Sequence, residues 1–169
     1  MKIGIIYATN REEATVQIVK WMTDALQQEG YTVTAGKTEN FDDFNCDAYL
    51  IGGAVYAFSV KRTKINTWLR NNSRNIQNKP LGAFVIASSD PLPPKEEMKG
   101  NFFTKFLKQT FVNPDRYINT LIGLLPSAPK TTALFKGYMD QEDKDKTNFI
   151  SQESKVRNWA IEACKSFEN

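Results

Sequence analysis

The sequence predicts an α/β fold: an open, doubly wound, three-layer arrangement in which a five-stranded, mostly parallel sheet lies between helices on both faces. Three observations predict it. Nearly continuous apolar runs rich in β-branched residues recur along the chain, as in Ile3-Gly4-Ile5-Ile6-Tyr7, Ala48-Tyr49-Leu50-Ile51-Gly52-Gly53 and Leu81 to Ala87. Such runs suit strands covered on both faces, as parallel sheets require. Segments with apolar residues at helical spacing stand between them, and strand-helix-strand order implies right-handed crossovers.

Lys2 to Tyr7 reads as the first strand and as the candidate for the central place in the sheet. From Ala14 the apolar positions Ala14, Ile18, Met22, Ala25 and Leu26 predict a helix of about four turns, with Gly30 as its C-cap. Tyr31 to Ala35 alternates and is rich in β-branched residues, which suits a second strand near a sheet edge. The polar stretch Lys37 to Asp47 reads as a loop that plugs Phe41 and Phe44 into the core. Ala48 to Gly53 is the third strand, and its terminal glycine pair lets the backbone turn or approach a ligand closely.

Ile65, Trp68 and Leu69 mark a second helix bounded by Asn71-Asn72-Ser73, and Lys79-Pro80 opens the fourth strand, Leu81 to Ala87. Ser88 to Pro94 is too proline-rich for helix or central strand and reads as a stiff surface loop. Phe102, Phe103, Phe106, Leu107 and Phe111 define a third helix that stops before Pro114. Tyr117 to Leu125 reads as the fifth strand, and Pro126 to Asp145 as an irregular surface insertion with a short helix around Leu134 to Met139. Val156, Trp159, Ala160, Ala163, Cys164 and Phe167 place a last helix with one buried stripe.

The 169 residues suit one domain, and 41% apolar with 24% charged residues is an ordinary globular composition. With neither a basic leader nor an apolar run of membrane-spanning length, the expected location is the cytoplasm. Cys46 and Cys164 form no C-x-x-C pair and read as packing positions. The chain contains no histidine, which excludes Ser-His-Asp and Cys-His catalysis and the commonest metal ligand. Any chemistry is then expected from a cofactor. A net charge of +3, scattered among acidic residues, gives no nucleic-acid stripe and at most hints at an anionic ligand.

In an open parallel sheet, ligands bind at the carboxyl ends of the strands beside the topological switch point. Three loops leave those ends: Ala8 to Glu13, Ala54 to Ser59, and Ser88 to Pro94. The first runs from a buried strand into a helix N-terminus, where unpaired N–H groups and the helix dipole favour an anion.

Tyr7-Ala8-Thr9 before a helix, Gly53-Ala54-Val55-Tyr56 after the third strand and Ser88-Ser89-Asp90 after the fourth together resemble flavodoxin-like proteins, over nearly the whole chain. The resemblance implies the sheet order 2-1-3-4-5, a bound FMN, and electron exchange with a redox partner protein or a quinone-like small molecule. A narrower resemblance is to the group containing the menaquinone-dependent protoporphyrinogen oxidases. Ile51-Gly52-Gly53-Ala54, Asn113-Pro114-Asp115-Arg116, Gly123-Leu124-Leu125-Pro126 and Trp159-Ala160 carry it. Ser127 to Thr132 departs from the basic, aromatic segment of those oxidases, so the porphyrin substrate is not carried across.

By this resemblance the phosphate of FMN falls to Thr9, Asn10, Arg11, Glu12, Glu13, Ala14 and Thr15. Flavodoxins use a hydroxyl-x-x-Gly-x-hydroxyl pattern there. Thr9 matches the first hydroxyl, whereas Glu12 stands at the glycine and Ala14 at the last hydroxyl. A carboxylate about 6 Å from the phosphate at an effective dielectric near 20 would cost on the order of 3 kcal/mol, so weakened phosphate binding is expected. Arg11 and a register-shifted Thr15 are the residues able to offset it, and acidic residues also suit a helix's first turn without any ligand.

The flavin ring falls to Ala54, Val55, Tyr56, Ala57 and Phe58, with Tyr56 and Phe58 stacking, and its pyrimidine edge to Ser88, Ser89 and Asp90. Lys61 and Arg62 beside this loop would favour the anionic reduced ring. The competing expectation is a flavodoxin-fold protein that has lost its cofactor and serves as a binding or scaffold module.

Overall fold

The structure, a computed structural model, describes residues 1–9, 12–55, 64–87, 114–138, 144 and 148–168, with 12, 13 and 114–116 described by their backbone alone. Five strands, β1 (Lys2–Ala8), β2 (Thr32–Lys37), β3 (Ala48–Ala54), β4 (Leu81–Ala87) and β5 (Thr131–Lys136), form one parallel sheet in the order β2-β1-β3-β4-β5. The described helices are α1 (Glu12–Gln28), α2 (Lys64–Ile76), α3 (Pro114–Ile122) and α4 (Glu153–Phe167), the last preceded by a 3-10 turn at Phe149–Gln152.

Strand periodicity divides the core into two halves. Ile3, Ile5 and Tyr7 of β1 join Leu50, Phe84 and Phe135 under α1 and α4. Ile6 and Ala8 join Ile51, Ala83 and Val85 under α2 and α3. The α1 and α4 helices also pack on each other, and Trp21 of α1 stacks on Phe149 at 5.1 Å between ring centroids. At the C-terminal end of α1, Gly30 bends the chain back and the Tyr31 N–H donates to the Leu26 carbonyl at 3.0 Å, which satisfies a carbonyl the helix leaves open.

The sequence expectations hold for the sheet order, the helices on both faces, the buried Phe41 and the buried stripe of α4. Both cysteines are free and buried, and desolvation pushes the Cys164 thiol up to about 12. Four expectations are corrected. β3 rather than β1 occupies the middle of the sheet, because the second crossover adds β3 on the other side of β1.

Asn71-Asn72-Ser73 lies inside α2 rather than ending it, and the Asn72 side-chain amide donates to the Trp68 carbonyl one turn back at 3.0 Å. Tyr117 to Leu125 is not a strand: it overlaps α3, whose first residue is Pro114. Proline suits the first helical position, and Tyr117, Ile118, Leu121, Leu124 and Leu125 recur at helical spacing against the α2 side of the core.

The fifth strand instead lies at Thr131–Lys136, within the stretch read as an insertion and across the start of the short helix expected at Leu134 to Met139. As an edge strand it is only partly buried, so it lacks the apolar density of β3 and β4. Its end is covered by Gln152, whose amide accepts from the Lys136 N–H at 2.8 Å and donates to the Lys136 carbonyl at 2.7 Å. Such covering removes an edge that could pair with another chain. The helix expected from Phe102 to Phe111 lies outside the described residues.

At the amino ends of the strands, Lys2 Nζ pairs with the Asp43 carboxylate at 2.6 Å, and Thr34 Oγ1 donates to the same carboxylate at 2.9 Å. The Lys2 hydrogen bond, then that of Thr34, holds the Asp43 carboxyl below its ordinary range. A depressed folded-state pKa stabilises the fold above the unfolded value, near 3.9, and that contribution is lost as pH falls through the folded value. Asp43→Asn should therefore lower Tm at pH 7 and flatten its fall between about pH 5 and pH 3. Thermal melts across that window check it, and parallel wild-type and variant curves would contradict it.

Candidate functional site

The sheet order fixes where a crevice can open. From β1 the chain crosses through α1 to β2 on one side, and from β2 it returns past β1 to β3 on the other. α1 covers one face and α2 the opposite face, so the carboxyl ends of β1 and β3 form the switch point where a ligand site is expected.

The strands remain zipped up to that point. Ala8 pairs with Gly53, the Thr38 N–H donates to the Tyr7 carbonyl at 2.9 Å, and the Val55 N–H donates to the Ile86 carbonyl at 2.9 Å. Gly53 has a φ of 153°, and a Cβ there would stand 2.1 Å from the Ala8 carbonyl oxygen. Only glycine lets the two strands approach so closely at the edge of the crevice.

Thr9 follows β1 directly and is 7% exposed, and Thr15, in the first turn of α1, is 1% exposed. Thr15 belongs to the same buried stripe as Ile18, Met22 and Leu26. Helical side chains lean toward the helix N-terminus, so the Thr15 side chain leans back over the start of α1. Thr15 Oγ1 is buried, and among the described residues no hydrogen-bond partner reaches it. A buried hydroxyl without a partner costs about 1–3 kcal/mol, and such an atom at a switch point marks a position where an incoming group can bond.

An ion pair that the sequence did not reveal joins the region beyond β2 to α2. Lys64, the first residue of α2, forms an ion pair with Glu39, just beyond the end of β2. Lys64, then the backbone and the Thr38 hydroxyl, hold the Glu39 carboxyl below its ordinary range against the opposing effect of burial. A cation at a helix N-terminus opposes the helix dipole, which is the sequence signal that Lys64 has an acidic partner.

Of the expected site residues, Thr9 follows β1, Ala14 and Thr15 stand in the first turn of α1, Glu12 and Glu13 open that helix, and Ala54 and Val55 stand at the carboxyl end of β3. Ala14 packs into the core beneath α1. Ala54 and Val55 pack against the two opposite halves of the core, so what they present at the edge is backbone. Asn10, Arg11, Tyr56, Ala57, Phe58, Lys61, Arg62, Ser88, Ser89 and Asp90 lie outside the described residues, as do the side chains of Glu12 and Glu13. Among the described residues, no group of three or more His, Cys, Asp or Glu is placed to hold a metal ion, and no helix is long and apolar enough to cross a membrane.

No protein-family profile matches the chain, and no curated protein matches it by sequence. Solved structures match it over its whole length. A cysteine-to-serine variant of the flavodoxin from Pseudomonas aeruginosa superimposes with a TM-score of 0.62 at 11% identity, with 100% of each chain covered. The fold is that of flavodoxins. The Streptococcus pneumoniae TIGR4 flavodoxin superimposes with a TM-score of 0.58 at 14% identity, covering 98% of this chain and 99% of its own. The Fusobacterium nucleatum flavodoxin, solved bound to flavin mononucleotide, does so at 0.54 and 15% identity, covering 98% of each chain.

Two substitutions probe this flavodoxin-like crevice in opposite directions. Gly53→Ala should destabilise the protein by about 2 kcal/mol or more, through overpacking and positive φ together; a chemical-denaturation midpoint within error of wild type would refute the close approach. Thr15→Val removes a buried hydroxyl at constant shape and should stabilise the ligand-free protein by about 1 kcal/mol. A loss of stability in the same assay would mean that the hydroxyl is already bonded.

Proposed function

We propose that this chain is a flavin-binding protein of flavodoxin type that carries electrons, with its flavin held across the carboxyl ends of β1, β3 and β4. The observation that carries the reading is the hydroxyl of Thr15 in the first turn of α1, buried and without a hydrogen-bond partner among the described residues. The FMN-bound state of the Fusobacterium nucleatum flavodoxin supports the choice of ligand. The absence of histidine leaves no Ser-His-Asp or Cys-His machinery that would compete with this reading.

The residues at hand fit the uncharged parts of such a ligand. Thr9 and Thr15 supply hydroxyls for the side chain of the flavin, and the backbone at Ala54 and Val55 supplies a narrow edge against which a ring can lie. Tyr56 and Phe58 are assigned to the ring faces, and Ser88, Ser89 and Asp90 to its polar edge, by sequence position. A bound flavin supplies one- and two-electron transfer. The protein's part is to orient the ring, exclude water from one side of it, and leave the other side open to a partner protein or a quinone-like molecule.

Titration with FMN and with riboflavin, followed by flavin fluorescence and by Tm, tests the reading. At least one flavin should be quenched on binding and should raise the stability by about 2.7 kcal/mol at a hundred times its Kd. No quenching and no shift in Tm with either flavin would overturn the proposal in favour of a cofactor-free binding module.

A further inference from the structure

We infer that the outer face of α2 is a docking surface for a short acidic segment of a partner protein, gripped by Arg70 and Arg74. The inference is independent of the flavin reading and concerns a different part of the molecule.

Charge is unevenly spread along the chain. No Asp or Glu stands between Asp47 and Asp90, a stretch with six basic residues, and none stands between Asp115 and Asp140. Six exceeds the net charge of +3, so the remainder of the chain is net acidic. The fold brings these two stretches to one side of the sheet, because α2 and α3 cover the same half of the core. Arg70 and Arg74 are exposed on α2, and their spacing of one turn puts their Cβ atoms about 5–6 Å apart. Lys79 follows the end of α2, and the Lys130 N–H donates to the Leu81 carbonyl at 2.7 Å, which brings Lys130 to the same corner.

The protein's own carboxylates leave the two arginines unanswered. Lys20 pairs with Asp24, Arg157 with Glu153 and Lys64 with Glu39, whereas Arg70 and Arg74 have no acidic partner among the described residues. The α2 positions a turn away from them hold amides and hydroxyls, so each arginine is the other's charged neighbour on the helix. Like charges at i, i+4 destabilise a helix. The helix dipole accounts for Arg74 in the last turn but not for Arg70. Helix stability therefore gives no reason for the pair, and an external carboxylate does. A guanidinium fork takes a carboxylate through two parallel hydrogen bonds, and acids at i, i+4 on a partner helix repeat the spacing of the two forks.

The far flank of α2, on the Trp68 side, favours protein over nucleic acid as the occupant. The segment that carries Glu39, Asp42, Asp43 and Asp47 lies along it: Glu39 pairs with Lys64, and Phe44 stacks on Trp68 at 6.1 Å between ring centroids. A phosphate backbone running across α2 would meet those carboxylates. Arg70, Arg74, Lys79 and Lys130 also fall short of the roughly 6–10 phosphate contacts behind strong electrostatic binding. A short acidic segment of a protein stays within the acid-free area.

Fluorescence anisotropy of a short labelled poly-glutamate peptide, titrated with the full chain, tests this. The peptide should bind at an ionic strength of about 0.03 M and lose about tenfold in affinity by about 0.3 M, because exposed charges are screened. At about 0.1 M, where screening acts over about 10 Å, Arg70→Gln/Arg74→Gln should weaken binding about tenfold. Lys20→Gln/Lys165→Gln removes the same charge from the α1 and α4 side of the sheet and should change affinity less than about twofold. Failure of the peptide to bind at low salt overturns the inference, as does binding that is independent of salt, and this series needs no variant to fold. Equal losses in the two double variants also overturn it, since net charge rather than α2 would then hold the peptide. Tighter binding of a single-stranded oligonucleotide of matched charge overturns it in favour of a nucleic-acid occupant.

Discussion

The close approach of β3 to its neighbours is the constraint on which the rest of the structure depends. A Cβ at Gly52 would stand 1.9 Å from the Phe84 carbonyl oxygen, and one at Gly53 would stand 2.1 Å from that of Ala8. Consecutive glycines at these positions let β1, β3 and β4 lie level at their carboxyl ends, where the chain changes its direction of winding. Ile51 and Leu50 anchor the same strand on opposite faces of the sheet. The glycine pair thus sets a narrow edge without loosening the core beneath it.

Above that edge, the protein departs from a simple anion cradle. The helix N-terminus, the natural place for a phosphate, opens with two glutamates, and the hydroxyl one turn in is buried without a partner. Acidic residues suit the first turn of a helix with or without a ligand. The orphan hydroxyl costs stability and offers a neutral hydrogen bond. The Glu39–Lys64 pair ties the region just beyond β2 to the start of α2.

The elements buried on both faces were the legible ones. β1, β3 and β4 declare themselves by apolar density, and α1 and α4 by a single stripe ending in a cap or at the chain's last turn. β5 was hidden because only Phe135 of this edge strand is fully buried, Ala133 and Leu134 being partly so, and the strand takes its cover from Gln152 and Lys155. The segment Tyr117 to Leu125 misled because β-branched residues stand beside helical spacing, and Pro114 at the first helical position was read as a stop rather than a start. At the site, Thr9 and Thr15 were visible as hydroxyls flanking a loop. Their burial was not, because it depends on how α1 settles on the sheet. The Glu39–Lys64 pair was invisible for a related reason: it joins residues 25 apart in sequence that only the switch in winding brings together.

The central claim is that the first turn of α1 and the ends of β1 and β3 form one ligand site. It is tested most directly by following backbone amide resonances of the labelled protein during a riboflavin titration. The account predicts shifts concentrated at Thr9, at Glu12 to Thr15 and at Gly53 to Val55, with the amino-end cluster of Lys2, Thr34 and Asp43 unmoved. Saturable shifts confined to another part of the molecule, or no shifts at all, would contradict it.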